Sequence, residues 1–521
     1  MTEPPSGNEN AQAPTAVVLL AAGSGTRMKS KRMKVLHPIC GRSMIGHVIA
    51  AAQAVQPQCL VAVVGNGREQ VGPHILAQAP DALLAVQEAQ EGTGHAVRVA
   101  VEVLREANGS TSGTVVVMAG DTPLLEGGTV AALVADHDRA GRAITILTGE
   151  VADPFGYGRI IRDGSGAVTG IVEEKDATAE QAAIAEINSG IFAFDGDFLA
   201  DALTRITNDN AKGEYYLTDV VGIAHADARP VGAHRTDDVM QTEGANDRAQ
   251  LAGLGAELNR RVLERWMREG VTVVDPTSTW VDVTVRLSRD VLIRPGVQLH
   301  GSTTVAEDAV IGPDCTLTDV EVGAGASVVR THGSEATIGA GATVGPFSFL
   351  RPGTVLGAGG KIGGFVETKN AQIGEGAKVP HLSYVGDAEI GEGTNIGAGT
   401  IFANYDGVNK HRTRVGKHAK TSSNNTFVAP VEIGDGAVTG AGTVVRRDVP
   451  PGALAVSGGP QRNIEEWTLR KRGGTASAAA AEAALSAGGS SHDEGAPVAE
   501  KADVDGQSND SPRAASEETQ A

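Results

Sequence analysis

The stretch IGAGATVG at residues 338–345 repeats a six-residue pattern, in which an aliphatic residue is followed by glycine and other small residues. Related text follows at 373–379 (IGEGAKV), 390–400 (IGEGTNIGAGT) and 433–443 (IGDGAVTGAGT). Neither an α-helix nor a flat sheet has a period of six. A hexapeptide parallel β-helix does, because each unit supplies one short strand and one turn. The repeat therefore predicts a left-handed parallel β-helix.

The aliphatic frame extends upstream of this stretch, slips by a residue or more after Leu317 and resumes at Ile338. We expect three strands per coil, with the aliphatic side chain inside and glycine at the corners. A Gly/Ala-rich linker is the alternative, but a linker would not keep a fixed frame over so many units. The aliphatic positions are Val281, Leu287, Ile293, Leu299, Val305, Ile311 and Leu317, then Ile338, Val344, Leu350, Leu356 and Ile362.

Two stretches interrupt the repeat, a polar insertion at 402–414 (FANYDGVNKHRTR) and the stretch 381–385 (HLSYV). Interruptions of a solenoid are where binding and catalytic side chains tend to lie. We therefore expect a functional site near these two stretches.

The amino-terminal half has a different pattern, in which short β-rich runs alternate with helical segments. The runs at 15–22, 59–64, 114–118 and 143–149 are continuously apolar. Such runs are typical of a parallel sheet covered on both faces, as in a Rossmann-like α/β domain. The text at 247–269 then places Leu251, Leu254, Leu258, Val262 and Trp266 on one helical face.

These patterns divide the 521 residues into five segments. We expect a disordered arm at 1–14, a Rossmann-like α/β domain at 15–245 and a linker helix at 246–270. A hexapeptide β-helix domain follows at 271–470. The alanine-, serine- and acid-rich text at 471–521 is predicted to be a disordered acidic tail.

Composition excludes some classes of function. The formal net charge of −19 argues against a dedicated nucleic-acid binder. No apolar run reaches the roughly 20 residues of a membrane helix, and the first residues lack the features of a signal peptide. The three widely spaced cysteines fit no zinc or disulfide pattern. We therefore expect a cytoplasmic protein that binds neither nucleic acid nor membrane.

The first apolar run leads into a glycine-rich turn, AAGSGTRMKSKRMKVL at residues 21–36. Free backbone N–H groups in such a turn bind phosphate, and Arg27 and Lys34 add positive charge. The G-x-G-x-x-G spacing of a Rossmann dinucleotide site is not met, since Met28 stands where the third glycine would be. A purely structural turn remains an alternative at this point.

The pattern Gly-x-Gly-Thr-Arg-Met with downstream Lys-Val-Leu resembles the nucleotide-sugar pyrophosphorylase signature, with Met33 in place of a proline. Matching text follows in family order: QEAQEGTGHA (87–96), MAGDTPLL (118–125), GYGRI (156–160), IVEEKDA (171–177), EINSGIF (186–192) and GEYYLTD (213–219). Together with the β-helix, residues 15–470 resemble the family of bifunctional N-acetylglucosamine-1-phosphate uridylyltransferases and glucosamine-1-phosphate N-acetyltransferases.

The resemblance implies Mg²⁺-dependent uridylyl transfer from UTP in the first domain. Asp121 and Asn246 would bind the metal, and Arg27 and Lys34 would act catalytically on the phosphates. Without the resemblance, Asp121 before Pro123 would be interpreted as a turn or capping residue. The contacts implied for UTP are Leu20, Ala21, Ala22, Gly23, Lys34, Gln87, Gly92, Thr93, Gly120 and Asp121, and those implied for the sugar are Gly156, Glu173 and Asn188.

For the second domain, the resemblance implies acetyl transfer from acetyl-CoA to glucosamine 1-phosphate. A histidine suits removal of a proton from the amine, and His381 would do this, oriented by Glu367. A backbone N–H near Ala398 would stabilise the oxyanion. Arg351, Lys369, Tyr384 and Asn395 would bind the sugar phosphate, with Lys410 as a further candidate, and Ala398, Asn404, Tyr405, Ser423 and Ala441 would bind acetyl-CoA.

One position departs from the family pattern. Gly458 stands where an arginine often meets the CoA phosphates, and none of Arg446, Arg447 and Arg462 can be assigned as its replacement.

The resemblance also implies a homotrimer formed along the prism. Two other functions stay open on the sequence alone. One is a single-activity sugar-phosphate nucleotidyltransferase with a structural or regulatory β-helix, and the other is a non-catalytic scaffold.

Overall fold

The computed structural model describes residues 13–459 and 461–488. Most of the arm expected at 1–14 lies outside these residues, but the Pro14 carbonyl accepts a hydrogen bond from the Gln58 N–H at 3.1 Å. The chain divides into two compact units, one that ends at Ser457 and one that begins at Gly458.

The first unit begins with a nine-stranded sheet flanked by helices. Its strands, together with a small separate hairpin formed by β2 and β3, are β1 (Ala16–Leu20), β2 (Pro38–Ile39), β3 (Arg42–Ser43), β4 (Cys59–Val64), β5 (Leu83–Val86), β6 (Thr114–Ala119), β7 (Ile144–Glu150), β8 (Gly158–Arg162), β9 (Val168–Val172), β10 (Glu186–Asp195) and β11 (Val231–Arg235). The helices are α1 (Met44–Gln53), α2 (Arg68–Gln78), α3 (Thr93–Asn108), α4 (Gly127–Ala140), α5 (Ala179–Ala182), α6 (Gly196–Ala202) and α7 (Asp219–Ala226).

The sheet is covered on both faces, as its continuous apolar runs predict. Along β1, Ala16 and Val18 pack into one buried cluster, whereas Val17 and Leu19 pack into another. The main strand order is β11-β7-β10-β6-β1-β4-β5. Strands β1, β4, β5 and β6 are parallel, so their carboxyl ends meet at one edge.

The sheet is not wholly parallel, which corrects the expectation from the sequence. Strand β10 runs antiparallel to both of its neighbours, β6 and β7. The connection before β10 explains its direction. Strand β10 follows the antiparallel pair β8 and β9, and a parallel strand would need a full helical crossover before it.

The predicted linker helix is present as α8 (Arg248–Arg268), and Leu254, Val262 and Trp266 on its apolar face are buried. Asn259 on this helix is also buried. Its Nδ2 donates to the Thr279 carbonyl at 2.7 Å, and its Oδ1 accepts from the Val281 N–H at 3.0 Å. The helix is thereby joined to the first coil of the following repeat.

The hexapeptide region forms parallel ladders of short strands, and every aliphatic position of the predicted frame is buried. The strands are β12 (Thr272–Val273), β13 (Trp280–Val281), β14 (Arg286–Leu287), β15 (Leu292–Ile293), β16 (Gln298–His300), β17 (Thr304–Val305), β18 (Val310–Ile311), β19 (Thr316–Val322), β20 (Ser327–Val328), β21 (Thr331–Ile338), β22 (Thr343–Val344), β23 (Ser348–Leu350), β24 (Thr354–Leu356) and β25 (Lys361–Gly364). The ladders continue with β26 (Glu367–Ile373), β27 (Lys378–His381), β28 (Tyr384–Ile390), β29 (Ile401–Ala403), β30 (Thr413–Val415), β31 (Thr426–Val428), β32 (Val431–Ile433), β33 (Val438–Thr439), β34 (Val444–Val445) and β35 (Leu454–Ala455).

The frame slip after Leu317 has a structural explanation. In β19 the next aliphatic of the frame is Val322, five positions later rather than six. Val320 between them is also buried, and Asp319 turns the corner with φ 55°. Aspartate and asparagine tolerate this left-handed conformation better than most residues. The prism thus accommodates shortened units without losing its ladders.

The second unit contains α9 (Trp467–Lys471) and α10 (Ala476–Gly488). Helix α10 differs from the disorder predicted from residue 471 onward. Its sequence is rich in alanine, the residue with the highest intrinsic helix propensity. The rest of the predicted tail, 489–521, lies outside the described residues. None of the helices in the described part of the chain is long and apolar enough to span a membrane.

Candidate active sites

The predicted uridylyl-transfer residues gather at the carboxyl edge of β1, β4 and β6. The Gly120 N–H donates to the Leu20 carbonyl at 2.9 Å, and the Ala21 N–H donates to the Val63 carbonyl at 2.9 Å. A Cβ at position 120 would lie 2.8 Å from the Leu20 oxygen, so glycine is needed there. Asp121 is therefore fixed beside the start of the glycine-rich turn.

The glycine-rich turn brings Lys34 across this edge. Gly25 has φ 60°, and a Cβ there would lie 2.5 Å from the Cβ of Lys34. Gly25 thus serves a left-handed backbone and a close approach of the lysine at once.

Two cations and two oxygen-bearing side chains converge at this edge. The Lys34 ammonium lies 2.5 Å from Asp121 Oδ2 and 3.2 Å from Asn246 Oδ1. Arg27 Nη2 donates to the same Asn246 oxygen at 2.9 Å. Two hard oxygen atoms therefore already face one cation, as the ligands of Mg²⁺ would.

A metal at this edge would have few protein ligands. Within residues 13–459 and 461–488, no cluster of three His, Cys, Asp or Glu side chains is placed to hold a metal ion. One carboxylate and one amide oxygen nevertheless fit Mg²⁺, which keeps several waters and often takes its remaining ligands from substrate phosphates.

The predicted uridine contacts lie on the adjoining loop. Gln87 is buried, and its Nε2 donates to the Gly92 carbonyl at 3.1 Å. Gly92 has φ 106°, and Thr93 Oγ1 accepts from the Leu217 N–H at 3.1 Å. The sequence analysis did not identify Gln90 as a candidate residue. Its Nε2 donates to the Ala22 carbonyl at 2.7 Å and connects this loop to the glycine-rich turn.

The predicted sugar contacts occupy β8, β9, β10 and their connections. Glu173 Oε1 accepts from the Thr218 hydroxyl at 3.3 Å, and burial raises the pKa of Glu173. Asn188 Oδ1 accepts from the Gly190 N–H at 3.0 Å. The Gly156 N–H donates to Glu174 Oε2 at 3.0 Å. Neighbouring Asp219 has its pKa raised to about 6 by burial and by the nearby charges of Glu173 and Asp176.

In the β-helix, His381 lies at an exposed corner and not in the apolar interior. Within the described residues, its imidazole makes no hydrogen bond or ion pair with protein. Its carbonyl accepts from the buried Ser383 hydroxyl at 2.7 Å, and the next residue, Leu382, has φ 51°. The corner is thus held from inside while the ring remains accessible.

The corner of His381 continues through the predicted acetyl-CoA contacts, coil by coil. The Gly399 N–H donates to the His381 carbonyl at 3.2 Å and the Asn424 N–H to the Ala398 carbonyl at 2.7 Å. The Gly442 N–H donates to the Ser423 carbonyl at 2.9 Å. One corner column therefore contains His381, Ala398, Ser423 and Ala441.

The N–H of Ala398 is the candidate oxyanion donor of this column. In the part of the chain that the structure describes, this N–H donates to no protein acceptor, although both neighbouring residues donate. Such a donor, one coil from His381, is available to a developing negative charge.

The predicted sugar-phosphate residues lie on the strand face that follows this corner. Arg351 Nη1 donates to Glu367 Oε1 at 2.9 Å, so Glu367 binds this arginine instead of orienting His381. Glu367 pairs in register with Tyr384 on β28. Asn395 lies apart on the preceding face, between Lys378 and Lys420 in the ladder.

Lys369 lies near Lys410, and this neighbouring amine, together with burial, lowers the pKa of Lys369. Its ammonium is 3.8 Å from Asp387 Oδ2, to which Asn404 Nδ2 also donates at 2.5 Å. The sequence analysis did not identify Asp387 as a candidate site residue. A signal was present, because Asn370, Asp387 and Asn404 follow at intervals of 17 residues, one full coil each.

The polar insertion is folded around Asp406, a second residue that sequence reasoning missed. Its Oδ1 accepts from the N–H groups of Val408 at 2.8 Å and Asn409 at 2.6 Å, and its Oδ2 lies 2.7 Å from His411 Nε2. Tyr405 is exposed, and its hydroxyl donates to the Gly407 carbonyl at 2.6 Å. The Asp-x-x-Asn spacing of a tight turn was the available signal.

Comparison with known proteins supports the fold described above. A family model described as the MobA-like NTP transferase domain matches residues 17–183. The class is therefore a nucleotidyltransferase fused to a left-handed hexapeptide β-helix.

Similar proteins cover both parts. The bifunctional protein GlmU of Rhodococcus opacus is 59% identical over 477 residues, which cover 90% of this chain and 95% of the relative. The bifunctional protein GlmU of Corynebacterium efficiens is 56% identical over 474 residues (90% and 97%), and that of Streptomyces coelicolor is 57% identical over 471 (90% and 97%).

The chain belongs to the GlmU family of bifunctional proteins. This confirms the prediction of an enzyme of UDP-N-acetylglucosamine synthesis with uridylyltransferase and acetyltransferase activities. It also decides against the single-activity enzyme and the scaffold that the sequence left open. Its substrates are small molecules, and its nucleotide transfer uses a divalent metal ion.

Proposed function

We propose that the edge formed by Asp121, Asn246, Arg27 and Lys34 performs uridylyl transfer, and that His381 is the general base of acetyl transfer. The observation that carries the second assignment is the corner column, where an exposed imidazole stands one coil from the unused N–H of Ala398. The two groups of residues lie on different folds, which supports one activity in each.

In uridylyl transfer, a phosphate oxygen of N-acetylglucosamine 1-phosphate attacks the α-phosphorus of UTP. A new P–O bond forms, the bond to the β-phosphate oxygen breaks, and pyrophosphate leaves. The nucleophile is already an anion, so the protein must mainly hold two anions together and offset their charge. Lys34 and Arg27 perform this task once the phosphates replace their present partners.

The divalent ion is proposed to be Mg²⁺, held by Asp121 and Asn246. When bound, it supplies charge neutralisation at the triphosphate. The remaining contacts position the substrates: the glycine-rich turn from Leu20 to Gly23, with Gln87, Gly92, Thr93 and Gly120, contacts UTP. Gly156, Glu173 and Asn188 contact the sugar.

In acetyl transfer, His381 accepts a proton from the amine of glucosamine 1-phosphate. The nitrogen attacks the thioester carbonyl of acetyl-CoA, a C–N bond forms and the C–S bond breaks. The released thiolate takes up a proton and leaves as CoA. The Ala398 N–H stabilises the oxyanion that forms on the carbonyl oxygen during this step.

The substrates of acetyl transfer would be bound on both sides of this corner. Arg351 and Lys369 would hold the sugar phosphate, while Tyr384 and Asn395 would orient the sugar. Acetyl-CoA would run along the column of Ala398, Ser423 and Ala441, with Asn404 and Tyr405 beside its acetyl end. Because position 458 is glycine and not arginine, the phosphates of CoA depend on other cationic side chains.

We further propose that the chain is a cytoplasmic homotrimer with functional domains at 15–245 and 271–470. Exposed Phe347 and Phe365 stack on adjacent coils with ring centroids 5.2 Å apart, and Leu382 continues this apolar corner. An exposed apolar column of this kind supports self-association. Three free cysteines agree with a reducing compartment.

Two assays on the purified chain test these assignments. One follows pyrophosphate released from UTP and N-acetylglucosamine 1-phosphate with Mg²⁺. The other follows free thiol released from acetyl-CoA and glucosamine 1-phosphate. We expect both products, and we expect chelation to stop only the first. Thiol release that persists in full after His381→Ala would overturn the assignment of the base.

A further inference from the structure

Asp387 is a carboxylate in the β-helix that no step of the proposed chemistry uses. It lies on β28 at a left-handed corner, with φ 49° and a side chain only 13% exposed. Its Oδ1 accepts from Asn370 Nδ2 at 2.9 Å, and its Oδ2 accepts from Asn404 Nδ2 at 2.5 Å. A carboxylate bound on both oxygens is held rigidly.

The contact with Asn404 determines which way that amide faces. Since Nδ2 donates to Asp387, the amide oxygen is turned away from the carboxylate and is left as an acceptor for a ligand. The volume next to Asp387 and Gly386 is also closely packed. A Cβ at Gly386 would collide with both the Tyr384 hydroxyl and the Asn404 amide, so these two polar groups share one small volume beside Asp387.

The charges around Asp387 are mainly positive. Lys369 is 3.8 Å away, and Lys410 contributes a second nearby ammonium. The neighbouring Lys410 lowers the pKa of Lys369, so Lys369 loses its proton more readily than an isolated lysine. Burial alone would raise the pKa of Asp387, but the hydrogen bonds from Asn370 and Asn404 and the two ammonium groups lower it, so the negative charge persists.

We propose that Asp387 is a positioning residue of the acetyl-transfer site, which orients the Asn404 amide and holds the Lys369 ammonium in place for the sugar phosphate. This inference rests on the assignment of the acetyl-transfer site above. Asp387 touches neither substrate in this account. It acts through the side chains it holds.

The test replaces Asp387 by asparagine in the full chain and measures thiol release against glucosamine 1-phosphate concentration. Asparagine keeps the size and one acceptor oxygen but removes the charge. We expect KM for glucosamine 1-phosphate to rise on the order of 10-fold with a smaller loss of kcat, the scale of a hydrogen bond to a charged group. Glu389→Gln is the control, because it removes a charge from the same strand at a residue paired with Arg412 and Arg414.

The pH dependence separates positioning from a merely structural role. Asp387 raises the pKa of Lys369, so without this carboxylate Lys369 loses its proton at lower pH, and phosphate binding weakens as pH rises through that value. The ratio of variant to wild-type KM should therefore grow between pH 7 and pH 9.5. A ratio that is flat with pH, or a KM equal to that of Glu389→Gln, would overturn the inference.

Wild-type thiol release separates the two levels of failure. If the wild-type chain releases no thiol, the proposed acetyl-transfer site itself fails. If wild type is active and Asp387→Asn behaves like the control, only the role of Asp387 fails. Pyrophosphate release by the same variant should equal that of wild type and reports that the first domain is folded, while the retained kcat of thiol release reports that the β-helix is folded.

Discussion

The two sites differ in how their catalytic side chains are held before substrate binds. At the edge of the first sheet, each catalytic charge already has a partner within the chain: Lys34 binds Asp121, and Arg27 binds Asn246. At the β-helix corner, the His381 ring is exposed and has no hydrogen-bond or ion-pair partner among the described residues. The difference follows from the chemistry, since a phosphate site needs balanced charge before substrate arrives, while a base needs an accessible nitrogen.

The difference also lies in how each site is built. The first site collects residues from the glycine-rich turn, the end of β6 and the start of α8, which are far apart in sequence. The second is assembled by repetition, because hydrogen bonds between coils place His381 and Ala398 one above the other. Substitutions in either site should therefore leave the other activity intact, and each prediction below tests that independence.

The largest effect is expected for His381→Ala. Loss of a general base costs typically 10²–10⁴-fold in rate, so thiol release should fall by about 10³-fold. Pyrophosphate release should not change. His418→Ala is the matched control, since it removes another exposed imidazole at a β-helix corner. A comparable loss in both assays would show that the sites are not independent.

The next effect is expected for Asp121→Asn, which breaks the paired side of the comparison. A bound metal supplies several kcal/mol of charge stabilisation, so pyrophosphate release should fall by about 100-fold or more, with thiol release unchanged. Asp138→Asn makes the same charge change near the opposite end of β6, where Asp138 binds Thr114, and should have little effect. Equal losses in the two variants would contradict metal binding at Asp121.

Much of this architecture could be predicted from the sequence because it is periodic or local. The six-residue frame correctly placed its aliphatic residues from Val281 to Ile362 in the core, since a fixed period leaves one face to bury. The glycine-rich turn was equally visible, because a left-handed backbone at Gly25 restricts the choice of residue.

The remaining features depend on contacts that a linear pattern does not encode. The antiparallel direction of β10 depends on how the chain returns after β8 and β9. The partner of Glu367 depends on side-chain reach, which favours Arg351 over His381. The sequence did not indicate Asp387, because its contacts form only when the 17-residue coils place it between Asn370 and Asn404.

A moderate effect is expected for His411→Ala, which loosens the insertion beside the second site. Asp406 has its pKa lowered to about 2 by hydrogen bonds from the Asn409 N–H, the His411 ring and the Val408 N–H, so it is anionic throughout the working range. Loss of the ring contact should raise KM in the thiol assay by about 5-fold, within the range of one hydrogen bond. His411→Gln, which keeps a donor, should recover part of the loss. No change in KM would mean that the insertion does not position Asn404 and Tyr405.

The smallest effect is expected for Asp219→Asn, and it concerns stability at the sugar end of the first site. Burial, with Glu173 and Asp176 nearby, raises the folded-state pKa of Asp219 to about 6, above its ordinary value of 3.8. A carboxyl whose pKa is raised on folding favours the folded state only while protonated, so its ionisation destabilises the fold as pH rises from about 4 through 6. The variant should therefore be more stable than wild type by about 1 kcal/mol at pH 7.5, a shift discounted for partial exposure, and equal to it near pH 3.5. Denaturant unfolding at the two pH values measures this difference. A variant less stable at pH 7.5 would show that the Asp219 charge is held by a favourable partner, as the charges of the first site are.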